Sequence, residues 1–404
     1  MTSTIPAFSP YDYSFHENPY PMYAALRDNA PVYHNADLGF WAISRHADVG
    51  EAFRDNAAFS AAMGVSLDPA AYGPHAYKTM SFLAMDDPRH NQLRRLVNKG
   101  FTPRRVTGLG EQITALTEQY WGECLDKARR GEAIDFVDDF AGKLPMDVIS
   151  ELMGVPEADR ARLRALADRV MHREEDVFDV PEAAMNAAFE LIAYYQELIA
   201  ARRAEPRDDL TSALIAAEID GDRLDEDEVL SFLFLMVIAG NETTTKLLSN
   251  AMYWADHFPE AKNAVLADPD RVDDWIEETL RFDTSSQMVL RTTKDEVTVG
   301  DTTIPAGEKV LLLIGSANRD PEVFDRPETY DIDRGNWDGL MSFGVGTHFC
   351  LGAHMARLEA QISLRHIAES IEDFSILPGA ERVHSTNVRG FAHLPVALTL
   401  RGEN

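Results

Sequence analysis

Phe343-Gly344-Val345-Gly346-Thr347-His348-Phe349-Cys350-Leu351-Gly352 is a glycine-hinged loop that presents one cysteine at the start of a helical stretch. A cysteine at a helix N-terminus faces backbone N–H groups and the positive end of the macrodipole, which favour thiolate over thiol. Gly344 and Gly346 permit backbone angles closed to other residues, and Gly352, lacking a side chain, lets a flat macrocycle approach the helix. Phe343 can lie against such a ring. Two alternatives stay open on these residues alone. Cys350 could be a nucleophile, or His348, Cys350 and His354 could supply three donors to zinc, although no fourth ligand stands at a familiar spacing. The other cysteine, Cys124, sits in an amphipathic helical pattern and reads as core.

The loop resembles the haem-binding loop of the cytochrome P-450 family, whose order of Phe, two glycines, a basic residue, Cys and a final Gly is met position by position. The resemblance implies Cys350 as thiolate ligand to the iron of haem b, with Phe343, Gly344 and Gly352 around the ring. It extends over nearly the whole chain through further motifs in the family's order.

In Met85-Asp86-Asp87-Pro88-Arg89-His90-Asn91-Gln92-Leu93-Arg94, His90 and Arg94 are i and i+4 and share a helix face. Spacing alone reads as a solvated basic face; the resemblance makes the pair partners of a haem propionate. Arg291 and His348 align with further propionate partners. Glu278 and Arg281, three apart on a helix, match the family's Glu-x-x-Arg element, and Arg334 matches the third member of that ionic network. These three are structural supports for the loop before Cys350. Ser285 stands where proline is usual.

The run Leu230-Ser231-Phe232-Leu233-Phe234-Leu235-Met236-Val237-Ile238-Ala239-Gly240-Asn241-Glu242-Thr243-Thr244 is too apolar all round for a surface helix and too short before Asn241 to span a bilayer. It reads as a buried core helix in which polar residues appear abruptly, Gly240 leaving space beside it. By resemblance Glu242 and Thr243 are the acid and alcohol that carry protons to activated oxygen, in a groove over the haem. The alternative is an acid in a buried ion pair and a hydroxyl bonded back to its own helix.

The chain of 404 residues has no Gly/Ser linker or internal repeat, so a single domain over 1–404 is expected. Helical patterning dominates from about 87 to 282. Strand signals cluster at 31–43, at 288–314 and near the C-terminus. The expected fold is mainly α with a small β region, the cytochrome P-450 architecture, with haem between the long central helix and the cysteine-bearing helix.

No charged-then-apolar leader and no apolar run of transmembrane length are present, so a cytoplasmic protein without a membrane anchor is expected. The net charge of −29 opposes general affinity for nucleic acid. Against that trend, no acidic residue occurs between Asp87 and Glu111, while Arg89, Arg94, Arg95, Lys99, Arg104 and Arg105 are basic. Apart from Arg94 they could form a docking patch for an acidic ferredoxin-type electron donor. Residues Leu83, Leu235, Ala239, Met288, Val289 and Phe391 are expected to line a pocket for a hydrophobic small molecule of steroid, terpenoid, fatty acyl or polyketide type. The implied activity is a haem-thiolate monooxygenase, working as a monomer. Alternatives are a peroxide-driven or coupling/rearranging haem-thiolate enzyme, against which the retained Glu-Thr pair argues, and a noncatalytic haem sensor.

Overall fold

The computed structural model describes residues 7–100, 103–174, 178–219 and 221–402. In chain order, the helices that build the site are α1 (Arg89–Gly100), α2 (Pro103–Arg129), α3 (Glu157–Met171), α4 (Glu182–Ala204), α5 (Glu226–His257), α6 (Val272–Phe282) and α7 (Ala353–Ser370). Short helices at Tyr20–Asn29 and His46–Arg54 precede them, on either side of the strand signals expected at 31–43.

The long α5 starts on a capping box. The Asp225 side chain accepts from the Glu228 N–H while the Glu228 carboxylate accepts from the Asp225 N–H. Acidic residues Glu226, Asp227 and Glu228 fill its first turn and complement the dipole. Its 32 residues then span about 48 Å, from the surface through the centre of the molecule. Val229 and Phe232 to Val237 are buried, because α5 has neighbours on every side. In α6 the apolar stripe Val272, Trp275, Ile276, Leu280 recurs at helical spacing and faces α5, where the Trp275 indole donates to the Ala251 carbonyl at 3.1 Å. α7 buries Ala360, Leu364 and Ile367.

The sheet joins distant parts of the chain. Strands β1 (Val32–Asn35), β2 (Phe40–Ile43), β3 (Phe59–Ser60), β4 (Val289–Thr293) and β5 (Lys309–Leu312) lie in the spatial order β1-β2-β5-β4-β3. β5 runs parallel to β2, with Leu311 opposite Ala42, and antiparallel to β4, with Val310 opposite Arg291. Alternation along β4 sends Val289 and Arg291 to one face and Leu290 to the other. That register delivers Arg291 to the central cavity. Among the described residues, no helix is long and apolar enough to cross a membrane.

Candidate active site

Gly344 (φ 67°) and Gly346 (φ 77°) adopt left-handed backbone, and the Cys350 N–H closes the loop on the Phe343 carbonyl at 2.9 Å. A Cβ on Gly346 would also lie 3.1 Å from the Phe53 carbonyl oxygen, so two constraints fix glycine there. The Asn56 amide donates to the Thr347 hydroxyl at 2.7 Å and ties the loop to the segment before β3.

Cys350 lies just before the helix: α7 begins at Ala353, and the N–H groups of Gly352 and Ala353 point back at Sγ. Its sulfur is exposed, but to a cavity inside the molecule and not to bulk solvent. Burial therefore dominates and raises the thiol pKa, against the pull of the two N–H groups, Arg94 and Arg357. The expected preference for thiolate at a helix end does not follow from the protein alone; a bound metal ion would enforce it. Cys124 is fully buried, its thiol pushed up to about 12 by burial.

The cavity is lined by Cys350, Gly352 and Phe343 of the cysteine loop and by Ala239, Gly240 and Thr243 of α5. A Cβ built on Gly352 would meet nothing within 4 Å, so the wall at this glycine is flat and open. The edge of the cavity is unlike its walls. Arg291 is 3% exposed, donates among the described residues only to the Leu290 carbonyl at 2.8 Å, and burial lowers its pKa to about 10. No carboxylate among the described residues pairs with it. The His348 and His90 rings are tilted by 45° with centres 4.1 Å apart; His348 Nδ1 and both nitrogens of the fully buried His90 lack hydrogen-bond partners, the Asp87 carboxylate lying 3.6 Å from His90 Nδ1. Burial first, then Arg291 and His90, hold the His348 pKa down to about 3. Arg94 reaches the Thr347 carbonyl at 3.4 Å and is also depressed by burial. Buried polar groups normally find partners. Here unsatisfied donors converge on one edge of a flat apolar slot, which suits an apolar ring carrying two carboxylates, as haem does.

Arg357 of α7, which the sequence reading missed, lies 4.5 Å over the Phe343 ring and pairs with Glu277 at 2.5 Å. Its only sequence signal was a basic residue two turns after the cysteine.

Glu242 and Thr243 do not share the cavity. Successive helical residues point about 100° apart, and here they face different spaces. Thr243 faces the cavity and donates its hydroxyl to the Ala239 carbonyl at 2.7 Å. Glu242 is 4% exposed on another side of α5, 3.2 Å from Lys246, and lines a second pocket together with Asp168 of α3. The back-bonded hydroxyl and the buried ion pair, the two features of the alternative reading, are both present. α5 stays continuous here, and a Cβ on Gly240 would make an ordinary 3.6 Å contact with Ile149. Ser285 donates to the Thr243 carbonyl at 2.8 Å, a bond proline could not make.

Glu278, Arg281 and Arg334 meet in the core, with Glu278 2.7 Å from Arg281 and 3.2 Å from Arg334. Of the expected pocket residues, Leu83, Leu235, Ala239 and Val289 line the cavity. Met288 does not: one residue before Val289, it points to the other side and packs with Phe8 and Tyr20. Phe391 does not either, its ring lying against Tyr253 at 4.5 Å and under Arg382 at 4.3 Å. In the basic interval, Arg89 is spoken for by Glu228 at 2.6 Å and Asp222 at 2.8 Å. Arg95 is exposed; the side chains of Lys99, Arg104 and Arg105 lie outside the described residues. His348, Cys350 and His354 do not converge as metal donors; among the described residues the one such group is Asp135, Asp138 and His393.

The sequence model of the cytochrome P-450 family matches residues 39–395. The chain is 57% identical over 393 residues to cytochrome P-450 123 of Mycobacterium tuberculosis, covering 97% of each. It is 35% identical over 393 residues to a vitamin D(3) 25-hydroxylase of Pseudonocardia autotrophica, covering 95% of each. The crystal structure of CYP109E1 from Bacillus megaterium in complex with testosterone superposes with a TM-score of 0.81 at 31% identity, covering 94% of this chain and 99% of that one.

Proposed function

We propose, from the premise that this chain belongs to the cytochrome P-450 family and so is a haem b-dependent monooxygenase, that it hydroxylates an apolar molecule of steroid size. The observation that carries this reading is the cavity itself. Besides Gly352 it is lined by the apolar Leu83, Leu235, Ala239 and Val289, with the Thr243 hydroxyl among its few polar groups. The names of two relatives, one crystallised with testosterone and one a vitamin D(3) hydroxylase, support the same class.

Haem b bound in this cavity supplies activation of O2 by two one-electron reductions. Cys350 would hold its iron from one face through Sγ. Arg291, Arg94, His90 and His348 would hold its carboxylates, which relieves the buried charge of Arg291 and gives the unsatisfied imidazole nitrogens partners. Phe343, pinned by Arg357, would support the ring plane. Because the Thr243 hydroxyl spends its one hydrogen on Ala239, its oxygen faces the cavity as an acceptor and can fix a water there. Glu242 would supply protons from the other side of α5. The chain would act as one domain and as a monomer, with electrons from a ferredoxin-type donor docking near Arg95, on the side of the cysteine loop.

Reconstitution with O2, a ferredoxin, its reductase and a panel of steroids tests this. A bound steroid should shift the iron spin state in the absorption spectrum and yield a product with one oxygen from O2. The rate of electron delivery should fall as salt is raised. Turnover with peroxide alone, and none with ferredoxin and O2, would favour the peroxide-driven alternative. Thr243→Ala should keep the haem and the steroid spectral shift yet send most reducing equivalents to peroxide; unchanged product per electron pair would remove Thr243 from the proton route.

A further inference from the structure

The residues expected to hold the carboxylates come from three distant pieces of chain: His90 and Arg94 from α1, Arg291 from β4, and His348 from the cysteine loop. One short segment, residues 53–61, is fastened to all three. At its start the Phe53 ring lines the cavity with the Arg291 guanidinium 5.7 Å from its centre, and the Phe53 carbonyl abuts Gly346. Asn56 holds the hydroxyl of Thr347, the residue before His348, at 2.7 Å. The Asn56 carbonyl in turn accepts from the Lys294 ammonium at 2.9 Å, and Lys294 follows directly on β4. β3 then pairs with β4, Ser60 opposite Thr292. At the end of the segment the Ser60 hydroxyl donates to the Asp86 carboxylate at 2.7 Å and the Ala61 N–H donates to it at 2.9 Å. Lys294 closes the circuit, 2.9 Å from the same carboxylate. Asp86 stands just before α1, where its carbonyl accepts from the His90 N–H at 3.0 Å.

We propose that residues 53–61, closed by the Asp86–Lys294 ion pair, form a clasp that sets the spacing of Arg291, Arg94, His90 and His348 and so governs how long haem b is retained. This rests on the reading of those residues as the carboxylate partners. Asp86, Lys294 and Asn56 are positioning residues, acting through the side chains that meet the carboxylates. The pair sits at the rim, with Lys294 38% and Asp86 21% exposed, so it can open without disturbing the core. An isolated ion pair this exposed would contribute little. Here the Asp86 carboxylate also accepts from Ser60 and Ala61, and the ammonium also reaches the Asn56 carbonyl, so breaking the pair loosens α1, β4 and the cysteine loop together. Burial opposes ionisation of Asp86, yet hydrogen bonds from Lys294, Ser60 and Ala61 hold its carboxyl below the ordinary carboxylate range. Asp86 therefore stays ionised, and the clasp closed, through neutral pH.

The test loads wild type, Asp86→Asn, Lys294→Met and the double variant with haem b and follows transfer of haem to excess apomyoglobin by absorbance. Each single variant should release haem about 10-fold faster than wild type, and the double variant no faster than either, because both changes open the same clasp. Loading instead with haem dimethyl ester, whose carboxylates are blocked, should bring wild type and variants to one rate. Variants that release haem at the wild-type rate, or that release haem and its ester faster by the same factor, overturn the proposal. Lys294 lies at the rim, so Lys294→Met decides the matter even where Asp86→Asn does not fold. Arg291→Leu separates the two readings. Haem lost faster from Arg291→Leu but not from the clasp variants overturns the clasp and leaves the carboxylate reading standing; haem held as tightly by Arg291→Leu as by wild type overturns both.

Discussion

Cys350→Ala should give a folded protein whose reduced, CO-bound form lacks the thiolate-type absorption band, with turnover at background. The side chain points into a cavity, and its loss removes no core packing. Apoprotein stability should therefore change little. No substitute ligand is available, since Cys124 is buried elsewhere and His348 is engaged with His90 at the cavity edge. Absorption spectroscopy of the haem-loaded variant decides the matter: a retained thiolate band would exclude Cys350 as the ligand.

Glu278→Ala should be the most damaging substitution outside the cavity. Glu278 and Arg281 are fully buried, and the Glu278 carboxylate accepts from Arg281 at 2.7 and 2.8 Å, from Arg334 at 3.2 Å and from the Asp331 N–H at 2.7 Å. Removing it strands two guanidinium groups in the core, for which about 3–5 kcal/mol is the usual cost. The exposed Arg365–Asp270 pair is a fitting control, since Arg365→Ala should cost under about 1 kcal/mol. Urea unfolding of the two variants measures the difference. Equal midpoints would mean that the buried network contributes nothing particular. The Arg281 donors to the Asn318, Pro327 and Thr329 carbonyls suggest why the loss would be felt at the active site, because they fasten the segment leading to the cysteine loop.

What could be read from the sequence was what local spacing controls. Gly344 and Gly346 have the left-handed angles their loop demands, and Glu278 and Arg281, one turn apart, could pair in any helix. Orientation across packed elements could not be read. Glu242 and Thr243 are neighbours in sequence, yet the rotation of α5 about its axis assigns them to separate cavities. Met288 fails as a pocket residue for the same reason, one step out of phase with Val289. Ser285, noted only as a departure from proline, turned out to hold the Thr243 carbonyl.

The sheet that carries Arg291 also governs how the chain is made. β2 has its partner β5 some 270 positions later, and β3 awaits β4 across a similar distance. During synthesis the first sixty residues must leave the ribosome with unsatisfied strand edges and persist that way until residue 312 emerges. Contact order this high makes for slow acquisition of the native state and a long window in which chaperones or aggregation compete for those edges. The prosthetic group can be captured only after that wait, when its floor at residue 350 finally meets a roof translated long before.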